Sequence, residues 1–465
     1  MTRLLVTVHR WLGIVLCLFF AMWFASGMVM MYVPFPSLPD QDRLAYLDTI
    51  ATSGIRIDPG TAVSRCPAGR LSGLRLISIA GRPAYICHVE SMAVSAVFAD
   101  DGSAVPVPSI SAGRNRGPFD YDQWVVHQRF DPYRPFFRQD LNDAAGTQLY
   151  LSSRTGEIVQ QTTARQRAWN YFGAVVHWIY PTVLRKDWAL WDRTVWWLSL
   201  AGIAGVLIGL YLGCSAFLRV RRVRRAGLSP YRGWLRWHHV LGLVTGLVVF
   251  TWIFSGWLSM DHGRLFSMPD PTAEQVANFR GRSLREIAGQ TSRAELTTFT
   301  PVKEISFHAV AGNTLILGRT GSGDPLTRTI TRSELVAATE RAWPGTAITD
   351  ISTVPEDDTY TSLREGSLPL GTYRIELDDN SDTWVHINSE NGEIISVMDR
   401  SRRTYRWLYN GLHSLDFPAL VENRPLWILT MTLLLSGGLA FSITGIVLAF
   451  NHLRRLRITR QYKAS

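Results

Sequence analysis

Charge is scarce in this chain, and the usual signatures of soluble enzymes are missing. Only 18% of its 465 residues are Asp, Glu, Lys or Arg, below the roughly 25% of an ordinary soluble domain. Cysteine is held to four residues, which excludes a cysteine-rich scaffold, and the spacing of Cys66 and Cys87 is too wide for a zinc-binding pair. No glycine-rich dinucleotide fingerprint follows a strand: Gly321-Ser322-Gly323 lacks a third glycine and reads as a turn. There is no phosphate loop, no His-Glu-x-x-His helix and no serine or cysteine triad signature, so hydrolase chemistry has no support.

What the chain has instead is four long apolar runs, about Trp11–Val33, Thr194–Leu218, His238–Met260 and Leu426–Phe450. Each supplies the roughly 20 apolar residues that a helix needs to cross a bilayer core of about 30 Å. Their flanks give an orientation, because cytoplasmic flanks collect Lys and Arg. The first run is preceded by Arg3 and Arg10. Seven arginines (Arg219, Arg221, Arg222, Arg224, Arg225, Arg232 and Arg236) lie between the second and third runs, and Arg454, Arg455, Arg457, Arg460 and Lys463 follow the fourth. These segments contain no acid. They hold 14 of the 48 basic residues, leaving 34 to face all 38 acidic residues elsewhere. The net charge of +10 therefore reports membrane topology, with both termini cytoplasmic, and not nucleic-acid binding. The first run is longer than a signal-peptide core and reads as a retained span.

The chain also repeats itself. Shifted by 229 residues, His9, Leu12, Gly13, Val15, Leu18, Trp23, Ser26 and Gly27 fall on His238, Leu241, Gly242, Val244, Leu247, Trp252, Ser255 and Gly256. Shifted by 236, Ser153, Gly156, Glu157, His177, Trp191, Gly202, Gly209 and Arg219 fall on Ser389, Gly392, Glu393, His413, Trp427, Gly438, Gly445 and Arg455. Fixed offsets of paired His, Gly and Trp predict a tandem duplication of one unit: span, outer domain, span. The expected order is a first span in 1–33, an outer domain in 34–165, an interfacial helix in 166–193 and a second span in 194–218. A basic cytoplasmic loop (219–237), third span (238–260), outer domain (261–400), interfacial helix (401–425), fourth span (426–450) and basic tail (451–465) follow. The fold class is thus an integral membrane α-helical protein with two outer α+β domains.

The outer segments are strand-rich. Ala84–Val89, Ala93–Phe98, Gln148–Ser153, Glu157–Gln160, Tyr373–Leu377, Thr383–Ile387 and Glu393–Met398 read as strands, with Asp100-Asp101-Gly102, Arg154-Thr155-Gly156 and Asn391-Gly392 as turns. Thr331–Arg341 reads as a helix, with Glu334 in its first turn and Pro344 beyond its end. Cys66 and Cys87 are candidates for a disulfide in an oxidising compartment, worth roughly 3 kcal/mol on the loop-entropy estimate. Cys17 and Cys214 lie in spans.

Four histidines occupy equivalent places in the repeat. A pair of neutral imidazoles fills both axial positions of a haem iron and leaves an electron carrier with no open site for oxygen. His9 and His238 begin inside-to-outside spans and pair at the cytoplasmic face; His177 and His413 precede outside-to-inside spans and pair toward the outer face. His239 is the rival to His238, and His452 ranks lower. Gly13 and Gly242, one turn on from His9 and His238, leave room for a flat macrocycle, and Gly173 stands one turn before His177, although its counterpart is Tyr409. His88, His127, His262, His308 and His386 lie in the outer regions. Of these His127 is the candidate substrate contact, with Arg129, Arg134 and Arg138, because arginines among aromatics suit an anionic chelate.

The His-x-x-x-Gly starts (His9 to Gly13, His238 to Gly242), the strand-turn segment Tyr150–Ile158 leading into Ala168-Trp169-Asn170 and His177-Trp178, and the alternation of spans with outer domains resemble the PepSY-associated transmembrane proteins of bacterial inner membranes, some of which are ferric-siderophore reductases. The resemblance covers nearly the whole chain. It implies a four-helix core with periplasmic PepSY-like domains, bound b-type haem, and reduction of iron complexes, ferric siderophores among them, brought into the periplasm; the count of two haems and their four histidine ligands comes from the repeat. The cytoplasmic segments are too short to fold a flavin or nicotinamide domain, so the electron donor is expected to be membrane quinol or a separate reductase. The competing expectation is a non-redox PepSY sensor, peptidase regulator or permease component with structural histidines.

Overall fold

The computed structural model describes residues 2–91, 93–106, 115–223, 227–261, 266, 270–361 and 367–464; Arg224, Arg225 and His262 lie outside the described residues. Two compact units emerge. One comprises Met1–Phe35, Gln166–Phe266 and Thr404–Ser465, the other Pro36–Arg165 and Ser267–Arg403.

The first unit contains four helices long and apolar enough to cross a membrane: Thr2–Met30, Trp188–Arg222, Gly233–Leu258 and a fourth from Arg424 that continues to Ala464. Each outruns the apolar stretch that announced it. Charged and polar turns such as Arg3–Arg10 and Arg219–Arg222 are compatible with helix, so the hydrogen-bonded ladder continues past the edge of the apolar run. Phe24, Val249, Trp252, Trp427, Met431 and Leu435 form the core between the spans.

The two segments expected as single interfacial helices are broken instead. The first divides into Ala164–Phe172, Ala174–His177 and Thr182–Arg185; the second into Arg400–Arg406, a π-helical turn at Trp407–Gly411, Leu412–Ser414 and Pro418–Val421. Gly173 breaks the first (φ −96°, ψ −111°). Its counterpart Tyr409 lacks that freedom, and there the chain takes up the irregularity as the π turn. In both segments a residue just beyond the histidine turns left-handed, Ile179 and Leu415, each at φ 50°.

Among the described residues the second unit contains fourteen strands. They are β1 (Leu71–Ile79), β2 (Arg82–Val89), β3 (Ser95–Phe98), β4 (Asn115–Phe119), β5 (Phe136–Asp140), β6 (Gln148–Ser152), β7 (Ile158–Thr162), β8 (Glu304–Val310), β9 (Asn313–Arg319), β10 (Pro325–Leu326), β11 (Ala347–Thr353), β12 (Tyr373–Asp378), β13 (Trp384–Ile387) and β14 (Ile394–Met398). Two four-stranded antiparallel meanders, β4-β5-β6-β7 and β11-β12-β13-β14, follow in sequence the two halves, β1–β3 and β8–β10, of a six-stranded sheet of order β10-β9-β8-β1-β2-β3. The helix Arg332–Ala342 precedes β11, and Thr331 caps it reciprocally with Glu334.

The six-stranded sheet corrects the expectation of two separate outer domains. Its central pair, β1 and β8, joins one segment to the other in antiparallel register, Arg75 opposite Ser306 and Ile77 opposite Glu304. Two like hairpins flank that pair, β1-β2 turning at Ala80-Gly81 and β8-β9 at Ala311-Gly312. All four turn residues have positive φ (51°, 76°, 53° and 85°), the two-residue geometry that matches the twist of the strands. A single core beneath it takes Leu74, Leu76, Tyr85 and Cys87 from the first segment and Leu284, Ile287, Ile305 and Phe307 from the second. Cys66 and Cys87 form a disulfide within it.

Candidate functional site: two facing histidine pairs

Each of the four histidines identified from the repeat meets its expected partner. The rings of His9, on the first span, and His238, on the third, have centroids 6.4 Å apart. Those of His177 and His413, on the short helices ahead of the second and fourth spans, are 6.1 Å apart. All four are half-buried.

Every one is held by Nδ1. His9 Nδ1 lies 3.0 Å from the carbonyl of Gly205, which can only accept, so His9 carries its proton on Nδ1. His177 Nδ1 is 3.0 Å from Ser26 Oγ, and that hydroxyl donates its own proton to the Met22 carbonyl at 2.7 Å. His413 Nδ1 is 3.0 Å from Ser255 Oγ, which donates to the Trp252 carbonyl. His238 Nδ1 is 3.0 Å from Thr444 Oγ1, which donates to the Phe441 carbonyl at 2.5 Å. A hydroxyl has one proton to give. Having given it along the helix, each accepts from the imidazole, and all four rings share one tautomer: Nδ1 protonated, Nε2 with a free lone pair. Among the described residues none of these Nε2 atoms has a hydrogen-bond partner.

Haem fits this arrangement. His9 with His238, and His177 with His413, bring two imidazoles within 6.4 and 6.1 Å of each other, centroid to centroid, and each pair could hold one haem iron. Among the described residues no group of three or more His, Cys, Asp or Glu is gathered to hold a bare ion. An iron that brings four nitrogens of its own needs only two from the protein.

His239 faces elsewhere: its Nε2 lies 2.9 Å from the Gly213 carbonyl and its ring meets Tyr231, so the rivalry with His238 is decided by helical rotation. His452 packs edge-on to Trp11.

The glycines do not all serve as expected. A Cβ on Gly13 would meet nothing within 4 Å, so that face is open. The space beside Gly242 is taken by Phe441, which stacks on His238 at 4.7 Å, and the space beside Gly173 by Val29. The glycines that abut the imidazoles come from facing helices: Gly209 at His9, Gly445 at His238, Gly27 at His177 and Gly256 at His413. A Cβ on Gly209 would stand 2.6 Å from His9 Cε1. Sequence reasoning passed over these four, along with Ser26, Ser255 and Thr444. The signal was present for six of the seven, since Gly27/Gly256, Ser26/Ser255 and Gly209/Gly445 are repeat pairs.

Indole donors fix the backbone around the outer pair. Trp23 Nε1 donates to the His177 carbonyl at 2.9 Å. Trp191 Nε1 donates to the Trp178 carbonyl at 3.0 Å and Trp427 Nε1 to the Ser414 carbonyl at 2.9 Å, each just ahead of a left-handed residue.

The expected substrate contacts do not form one cluster. Arg134 is buried, paired with Asp131 at 2.8 Å, and donates to the carbonyls of Val125, Val126 and His127. It clamps its own loop. Arg138 faces Asp122 and Asp140. His127 and Arg129 are exposed, His127 Nδ1 accepting from the Arg129 amide to start a 3-10 turn. Of the other outer histidines, His88 lies against Arg75, His308 against Ser306 and Glu393, and His386 against Arg374 and Ser396.

Residues 6–313 match the family model described as the PepSY-associated TM region. The chain belongs to the PepSY-associated transmembrane family. Residues 329–398 match a second model, the peptidase propeptide and YPEB domain, PepSY, which covers the helix Arg332–Ala342 and the β11–β14 meander. No curated protein matches the chain significantly. This PepSY-associated protein is a multi-pass membrane protein with four apolar helices and a PepSY domain. The family match takes in His9, His177 and His238, while His413 lies beyond both matches.

Proposed function

We propose that this chain is a haem-b-containing oxidoreductase of a bacterial inner membrane, carrying electrons to a ferric siderophore in the periplasm. The observation that carries the reading is the shared tautomer of four paired imidazoles, each with Nδ1 engaged and Nε2 free. Haem, when bound, supplies a one-electron iron couple. His9 with His238, and His177 with His413, would hold it.

The chain's own residues do the rest. With two histidines to hold each iron, a bound haem would supply electron transfer rather than oxygen binding. The apolar spans exclude water from both pairs. Ser26, which holds His177, lies seventeen residues along the first span from His9, about 25 Å at 1.5 Å per residue, so the pairs stand near opposite ends of one helix. The arginine-rich flanks support a cytoplasmic location for the His9–His238 end, where quinol or a separate reductase would supply the electron. Each electron converts one Fe(III) to Fe(II), whose lower charge binds anionic oxygen ligands more weakly, and the siderophore releases its iron unchanged. The repeat registers support an origin by tandem duplication.

The test is a visible spectrum of the purified protein, oxidised and dithionite-reduced, with haem quantified per chain. Low-spin b-type bands at two haems per chain are expected. Absence of haem from folded protein produced under haem-replete conditions overturns the reading and leaves the non-redox sensor, peptidase regulator or permease component.

A further inference from the structure

The hydroxyl groups behind the histidines have a use beyond fixing orientation. An imidazole whose Nδ1–H is hydrogen-bonded donates more electron density through Nε2, and such partners tune a bound metal's affinity and potential. Three of the four partners here are side chains that a point substitution can remove. Each hydroxyl also has a carbonyl of its own helix within donating distance, so with Nδ1 protonated Ser26, Ser255 and Thr444 donate along the helix and present a lone pair to the ring. Ser26 and Ser255 are fully buried at 1% and 0% exposure, and Thr444 at 4%. None is at a place where water replaces it freely.

We infer that Ser26, Ser255 and Thr444 are positioning residues that act on bound iron through His177, His413 and His238. The two pairs differ in how far they depend on side chains. Both imidazoles of the His177–His413 pair rest on serine hydroxyls. In the His9–His238 pair one rests on threonine and the other on the Gly205 carbonyl, which no side-chain substitution removes. Ser26→Ala and Ser255→Ala therefore act on one haem and Thr444→Val on the other.

The inference rests on the haem reading but fails separately from it. Spectroelectrochemical titration of the full-length protein reads the midpoint of each haem, assigned in His9→Ala and His177→Ala backgrounds that retain the opposite pair. Removing an acceptor weakens donation to ferric iron, so Ser26→Ala and Ser255→Ala should each shift the midpoint of the His177–His413 haem upward, and the double variant further. The other haem should not move. Thr444→Val should show the reverse selectivity. Ser26→Thr and Thr444→Ser, which keep the hydroxyl, should restore the parent values. Absence of haem in the unsubstituted protein overturns the parent reading. Two haems with unchanged midpoints in all three variants overturn this assignment alone, as does haem loss in Ser26→Ala that Ser26→Thr fails to recover, because shape and not the hydroxyl would then be what matters.

Discussion

Phe24 of the first span lies in the notch that Gly438 leaves on the fourth. A Cβ on Gly438 would stand within 2.6 Å of three atoms of the Phe24 ring, and Phe24 is 4% exposed and packed against Trp252 at 5.7 Å. Gly438→Ala should cost about 1–3 kcal/mol through overpacking. The measurement is the denaturation midpoint in detergent, with Gly437→Ala next to it as the comparison.

Histidine substitutions should act by pair. His9→Ala and His238→Ala should each remove one haem's absorbance and leave the other, and His177→Ala and His413→Ala should remove the complementary one. His239→Ala should retain both. Pyridine haemochrome quantification decides the matter, and loss of haem in His239→Ala without loss in His238→Ala would reverse the assignment of the inner ligand.

The indole clamp behind the outer pair should be measurable. Trp427→Phe keeps the ring and removes the donor to the Ser414 carbonyl. It should cost about 1 kcal/mol. Leu415 would then lose a group that holds it left-handed, so faster exchange of the amides around 414–416 is the accompanying signal.

Arg406 and Asp416 form an ion pair at 3.0 Å, with side chains 3% and 2% exposed. Asp416→Asn should destabilise the chain by about 3–5 kcal/mol, because a buried guanidinium is left uncompensated. Their repeat counterparts are Asn170 and Tyr180, so Arg406→Asn with Asp416→Tyr should be less damaging than Asp416→Asn alone.

Acid should weaken the second unit in a definite window. Burial, reinforced by the Arg374 charge, lowers the pKa of His386 from 6.5 to about 4, and burial with the Arg75 charge lowers His88 to about 4. Between pH 6.5 and 4 the unfolded chain takes up protons that the folded chain refuses, so stability falls as pH falls through that range and is fully present above it. Glu304 does not contribute there. Burial would raise it, but Arg43 and Arg75 overcome this and hold it at about 2, so its loss comes below pH 4.5. His386→Gln should flatten the slope between pH 6.5 and 4 in urea titrations.

The membrane spans and the pairing of the four histidines were legible because they depend on long apolar runs and on repetition, both of which a sequence displays directly. β2, β6, β7, β12, β13 and β14 were legible within a few residues, since turn residues bound them. β1, β8 and β9 were not. Their strands are buried in a shared sheet, and nothing local in Leu71–Ile79 tells that its partner is Glu304–Val310, more than two hundred residues on. The same limit hid the glycines around the imidazoles. A histidine's i+4 neighbour is evident in sequence, whereas the residue facing it depends on how two helices cross, and so Gly209 rather than Gly13 bears on the His9 ring. Arg134 looked like a ligand for an anion because its neighbours are aromatic, but carbonyl oxygens of its own loop claim it first.

The pairing of β1 with β8 has a consequence for assembly. Each is the inner strand of a like hairpin, and they meet antiparallel, the relation that a two-fold axis imposes. A chain carrying only one hairpin would leave that strand as a bare edge with its amides unsatisfied. It would find the missing strand most readily on another copy of itself, in an isologous dimer. What this chain accomplishes by length, a half-length relative would have to accomplish by symmetry.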